Sequence, residues 1–203
     1  MLSSMEESSA LALSDRVAVR NSLTVGKTLT IRKATMRDIH AILQLINSYA
    51  AEGIMLPRTE FEISENIRDF TVVYDGSQLL GCGALHFYTP VSGEVRSLAV
   101  APQAKHQGIG VFLIATLEQE AINNELHAIF AFTYVADFFR KAGFHEVDRG
   151  LLPLKVWKDC LCCPKFQCCD EIAVLKALRP DPALALSLGS IPELVQLPHV
   201  KRV

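Results

Sequence analysis

Apolar residues recur along this chain at two different spacings. From Ile39 the positions Ile42, Leu43, Ile46 and Tyr49 follow three or four residues apart, which predicts a helix with one face against a core. Thr35-Met36-Arg37-Asp38 supplies its start and Gly53 its stop. Short runs that alternate or stay apolar read as strands: Leu29 to Arg32, Phe70 to Tyr74, Leu79 to Tyr88, Glu94 to Val100 and Ala128 to Phe132. Asp75-Gly76-Ser77 is a hairpin turn between the second and third of these, and residues 90–93 turn the chain into the fourth. Gly81 and Gly83 inside a strand point to a close approach of another element. Further helices are expected at Glu60 to Arg68, Gln107 to Glu120 and Val135 to Ala142. Phe144 to Val147 and Ile172 to Lys176 add the last strands. Strands alternating with helices predict an α/β fold of the α+β kind, and the hairpins make its central sheet mixed, flanked by helices.

Length narrows this to one domain, since 203 residues with 50% hydrophobic content bury one core and leave no room for a second catalytic domain. A net charge of −2 provides no general field for nucleic acid. No run of about 18 apolar residues is present, and the first residues lack the basic start and apolar stretch of a secretory signal. A soluble, cytoplasmic protein without a membrane partner is the expectation. Residues 1–27 read as an N-terminal extension: an extra helix, a floppy leader, or, given Arg16 and Arg20, a remnant of targeting sequence. Residues 179–203, broken by prolines, read as a tail that packs on the domain or on a neighbouring subunit of a homodimer. Cys160, Cys162, Cys163, Cys168 and Cys169 crowd into one segment; no second Cys-x-x-Cys and no nearby histidine completes a zinc set. That cluster is open to two readings, a thiolate metal site or a structural, redox-sensitive group.

Chemistry concentrates in Val100-Ala101-Pro102-Gln103-Ala104-Lys105-His106-Gln107-Gly108-Ile109-Gly110, which follows a strand and opens a helix. A glycine turn lets the backbone approach a pyrophosphate, and the helix presents unpaired N–H groups and the positive end of its dipole. This arrangement resembles the GNAT family of acetyl-CoA-dependent N-acetyltransferases, in which a hydrophobic strand and Val-x-Pro lead into Gln/Arg-x-x-Gly-x-Gly/Ala. Here Lys105 stands where the family usually has Arg or Gln, keeping the charge and giving up the planar fork. Leu56-Pro57-Arg58, Glu65 to Phe70, Gly81 to His86, Glu94 to Val100 and Leu154 to Cys160 look like the acetyltransferase domain of N-acetylglutamate synthases. The resemblance covers residues 28–178 and implies the GNAT fold with acetyl-CoA as cosubstrate and no metal. It further implies L-glutamate as acceptor, in the first step of arginine biosynthesis; a GNAT enzyme for another small amine, or a CoA-binding regulator without catalysis, are the rivals.

Acetyl transfer from a thioester to an amine needs a cofactor cradle, a neutral amine, stabilisation of an oxyanion and a proton for the thiolate. Backbone N–H groups of Lys105, His106, Gln107, Gly108, Ile109 and Gly110 are the candidates for the pyrophosphate. The resemblance implies that the main chain at Leu98, Ala99 and Val100 pairs with the pantetheine arm. Glu94 and Arg96 lie two apart on a strand, on one face, about 7 Å from each other. Glu94 is then a general base working through water and Arg96 a grip on a substrate carboxylate, or the two form an ion pair at the strand end. Tyr134, just past a buried strand, is the candidate donor to the thiolate or a packing residue; many GNAT enzymes carry that tyrosine where this chain has Phe139. Arg58, with Lys155 as a weaker third cation, would serve a dicarboxylic acceptor, or both are solvated surface charges.

Overall fold

The computed structural model describes residues 29–152 and 169–179. Seven strands form one sheet: β1 (Leu29–Lys33), β2 (Phe70–Asp75), β3 (Gln78–Thr89), β4 (Ser92–Val100), β5 (Ala128–Thr133), β6 (His145–Glu146) and β7 (Ile172–Ala177). Their order is β1-β2-β3-β4-β5-β7-β6. All neighbours are antiparallel except β4 and β5, which are parallel and joined through the crossover helix α3 (Ile109–Asn123). Helices α1 (Ile39–Ala51), α2 (Glu60–Glu65) and α4 (Ala136–Lys141) complete the described elements.

The hydrophobic pattern carries over with small shifts. On α1 the buried positions are Ile39, Ile42, Leu45, Ile46 and Tyr49, so Leu45 replaces Leu43, which packs only partly against the core. A 3₁₀ turn at Met36–Asp38 precedes α1. The helix expected over Glu60 to Arg68 is two pieces, because it ends at Asn66 and a 3₁₀ turn follows at Ile67–Asp69. α3 starts two residues later than expected, at Ile109, because Gly108 caps it in the left-handed region with φ +81°. The strand expected over Phe144 to Val147 contracts to two residues, with Phe144 buried beneath it.

One core cluster joins α1 and the first half of α3 to β2 and β3, and another joins the rest of α3 to α4, β5 and β7. Gly81 and Gly83 permit this packing. A Cβ at Gly81 would lie 3.0 Å from the Ala99 carbonyl oxygen and 3.1 Å from side chains of Ile109 and Leu113; at Gly83 it would meet Leu98 at 2.9 Å. Burial of Cys82 between them pushes its thiol up to about 12, so it stays protonated. Toward β1, Asp38, 3% exposed, ties three elements together. It accepts from Arg32 on β1 (2.7 and 2.9 Å), from the Thr35 backbone N–H (2.7 Å) and hydroxyl (3.0 Å), and from the Tyr74 hydroxyl on β2 (3.0 Å).

Candidate active site

β4 and β5 pair only at Ser92↔Ala128, Gly93↔Ile129 and Glu94↔Phe130. Beyond that point each strand runs on, to Val100 and to Thr133, without pairing to the other. The two strands therefore splay into a wedge whose apex is Glu94, and a cavity of about 320 Å³ fills it. Residues 94–100 of β4 form one wall and Phe132 to Val135, at the end of β5, another. Tyr49 of α1, Met55, Leu56 and Arg58 also line it, as do Arg149, Cys169 and Glu171.

An extra residue in β4 shapes the first wall. The register steps from Ala84↔Arg96 to Cys82↔Ala99, two residues on β3 against three on β4, and Ser97 takes φ +52°. Such a bulge bends a strand and re-aims its side chains and backbone groups. The Leu98 side chain turns toward Gly83, while the Val100 carbonyl accepts a 2.6 Å hydrogen bond from the Tyr49 hydroxyl.

Glu94 is 9% exposed and Arg96 lies two residues on, in the same cavity, as the strand period expects. Partners of Arg96 include Asn66 Oδ1 at 3.2 Å and Asp69 Oδ2 at 3.8 Å, from the 3₁₀ turn before β2. Asp69 also meets His86 Nδ1 at 2.5 Å. Arg58 is held through its backbone: its N–H donates to Asn47 Oδ1 and its carbonyl accepts from Asn47 Nδ2, both at 2.9 Å. Arg58 lines the cavity, and its side chain is 18% exposed with Glu62 at 3.6 Å. Tyr134 lines the other wall at the turn that closes β5, where Thr133 Oγ1 accepts from the Val135 N–H at 3.0 Å. Phe139 is buried and also lines the cavity.

Leu98, Ala99, Val100 and Lys105 reach the cavity, whereas His106, Gln107 and Gly108 are exposed in the loop that leads into α3. The Lys105 N–H is spent on the Pro102 carbonyl, and its ammonium sits 4.8 Å above the Tyr49 ring. Phe112 is the first residue of α3 to bond back, to the Gly108 carbonyl; the N–H groups of Ile109, Gly110 and Val111 precede any intrahelical acceptor. His106 and Gly108 both adopt positive φ there. The need for glycine at 110 has its own cause, since a Cβ would lie 3.2 Å from the Phe138 ring. An open strand edge, a wedge and a helix start rich in N–H donors suit a long thioester arm ending in a pyrophosphate. Lys155 lies outside the described residues, as do Cys160, Cys162, Cys163 and Cys168; Cys169 Sγ lies 3.8 Å from Glu171 Oε2.

Sequence reasoning missed Asn47, Tyr49, Asn66, Asp69 and Arg149 as site residues. Thr59-x-x-Glu62, a reciprocal cap with the Thr59 N–H donating to Glu62 at 2.7 Å, was a legible signal for what fixes the turn after Arg58. Nothing in the local pattern around Arg149 marks it.

Residues 37–144 match the family described as Acetyltransferase (GNAT) family, more than half of the chain. The chain belongs to the GNAT acetyltransferases. It is an N-acetyltransferase with acetyl-CoA as cosubstrate. An uncharacterized N-acetyltransferase of Chlorobaculum tepidum is 40% identical over 148 residues, covering 73% of this chain and 96% of that protein. An amino-acid acetyltransferase of Mycobacterium tuberculosis is 33% identical over 121 residues, covering 58% and 69%. Among solved structures, N-acetylglutamate synthase from Neisseria gonorrhoeae, complexed with coenzyme A and N-acetyl-glutamate, superposes with a TM-score of 0.69 at 27% identity. That match covers 75% of this acetyltransferase but 35% of the longer gonococcal chain. Among the described residues no helix is long and apolar enough to cross a membrane.

Proposed function

We propose that this acetyltransferase transfers acetyl from acetyl-CoA to the α-amine of L-glutamate, the first step of arginine biosynthesis, through a catalytic domain spanning residues 28–178. The observation that carries the reading is the convergence of Arg58 and Arg96 on the cavity whose apex is Glu94. Relatives named amino-acid acetyltransferase, and a structural neighbour bound to N-acetyl-glutamate, support it. Acetyl-CoA supplies the activated acetyl group. The N–H groups from His106 to Gly110 hold its pyrophosphate, and the unpaired edge of β4 at Leu98 and Ala99 receives its arm. Glu94 takes the ammonium proton, directly or through one water, and Arg58 and Arg96 orient the acceptor by its carboxylates. Tyr134, across the wedge, donates a proton to the departing thiolate. Release of free CoA from acetyl-CoA, measured against a panel of amino acids, tests this. Glutamate is expected to give the highest kcat/KM, and a clear preference for a non-acidic amine overturns the assignment.

A further inference from the structure

We propose that Arg149 is a specificity-determining residue, the cation that binds the second carboxylate of the acceptor from the wall opposite β4. The proposal rests on the dicarboxylic acceptor assigned above. Arg149 lines the cavity and approaches it from the side of β5 and β7, since its guanidinium carbon lies 5.8 Å from the Phe132 ring centre on β5. Its Nη2 donates to the main-chain carbonyls of Cys169, at 3.4 Å, and Glu171, in the stretch just before β7. These bonds fix the side chain with neutral acceptors and involve Nη2 alone. Among the described residues Arg149 makes no ion pair with a carboxylate.

The other two cavity arginines differ in this respect. Arg58 has Glu62 at 3.6 Å and Arg96 has Asp69 at 3.8 Å, so part of each charge is already answered. Arg149 is a cavity-lining guanidinium held by main-chain carbonyls, with a planar fork suited to a carboxylate. Arg96, two residues from Glu94, takes the carboxylate next to the reacting amine, with Arg58 assisting it. The acceptor's other carboxylate then extends across the wedge to Arg149. A neutral isostere such as glutamine fills the same space and leaves the guanidinium without a charged partner, so the discrimination is electrostatic rather than steric.

The test measures free CoA release with L-glutamate and L-glutamine in the wild-type protein, Arg149→Gln and Arg149→Lys. For Arg149→Gln we expect kcat/KM on glutamate to fall roughly 10- to 150-fold, the worth of a charge-assisted contact. The value on glutamine should fall far less, and the KM for acetyl-CoA should hold. Arg149→Lys, which keeps the charge and loses the fork, should give an intermediate glutamate-to-glutamine ratio. Equal losses on both acceptors would make Arg149 a clasp for the chain near Glu171 and overturn the proposal. If Arg149→Gln does not fold, the ratio in Arg149→Lys decides on the same terms, an unchanged ratio being the refutation. A wild-type protein that uses glutamine as well as glutamate removes the acceptor assignment and this proposal with it. A glutamate-selective wild type with unchanged selectivity in the variants removes the role of Arg149 alone.

Discussion

Replacing Asp38 by alanine tests whether one carboxylate fixes the α1 corner that delivers Tyr49 to the cavity and Asn47 to the Arg58 backbone. The residue is 3% exposed and its carboxylate accepts five hydrogen bonds from Arg32, Thr35 and Tyr74. Arg32 is 42% exposed, so water recovers most of its share and its contribution is held to about 1 kcal/mol. The Thr35 N–H and the Tyr74 hydroxyl would each lose a charged acceptor in a partly buried place, at about 1–2 kcal/mol apiece. Together these give a loss of roughly 3–5 kcal/mol, or a midpoint lower by about 6–20 °C. Urea and thermal unfolding followed by circular dichroism would measure it. The pH dependence gives a second reading. Hydrogen bonding from Arg32 holds the Asp38 carboxyl well below the usual carboxylate range; burial works against this, and the Thr35 and Tyr74 bonds reinforce it. A depressed value means that the stability is fully present above the unfolded value of about 3.9 and drains away as pH falls below it. Tyr74 runs the other way: burial, then its bond to Asp38, pushes it up to about 12, so its contribution is intact below about 10 and lost as pH climbs toward 12. Asp38→Ala should flatten the acid limb and Tyr74→Phe the alkaline one. A loss under about 1 kcal/mol, with an acid limb identical to that of the wild type, would refute the reasoning.

At the apex of the wedge, Glu94→Gln should lower turnover about 10²- to 10⁴-fold with acetyl-CoA affinity close to normal, because the amide keeps the shape and loses the basicity. Wild-type rate should rise with pH through an ionisation that this variant lacks; matching profiles and similar turnover would assign proton removal elsewhere. At the helix start, Gly108→Val forces a branched residue to φ +81° where the pyrophosphate is to bind, so calorimetric titration should find acetyl-CoA binding lost. Wild-type affinity in a folded variant would sink the cradle assignment.

Local sequence was enough for much of this protein. The spacing of Ile39, Ile42, Ile46 and Tyr49 located α1 and its buried face, and Asp75-Gly76 located the hairpin. Gly81 and Gly83 announced the close packing of α3 and Leu98 on β3, because a missing Cβ has few other uses inside a strand. Glu94 and Arg96 could be placed on one face because a strand's side chains alternate with period two. Tertiary structure decided the rest. Periodicity reports which face of an element is buried, and is silent on where two neighbouring strands stop pairing. The wedge that opens after Glu94↔Phe130 is a property of β4 and β5 together. The bulge at Ser97 is invisible for the same reason: it exists only as a mismatch between the residue counts of β3 and β4. Asn66 and Asp69 reach Arg96 from 30 and 27 positions away, and Arg149 is set by carbonyls 20 and 22 positions downstream. Contacts at that range are fixed by the packing of the whole sheet, which no short window of sequence contains.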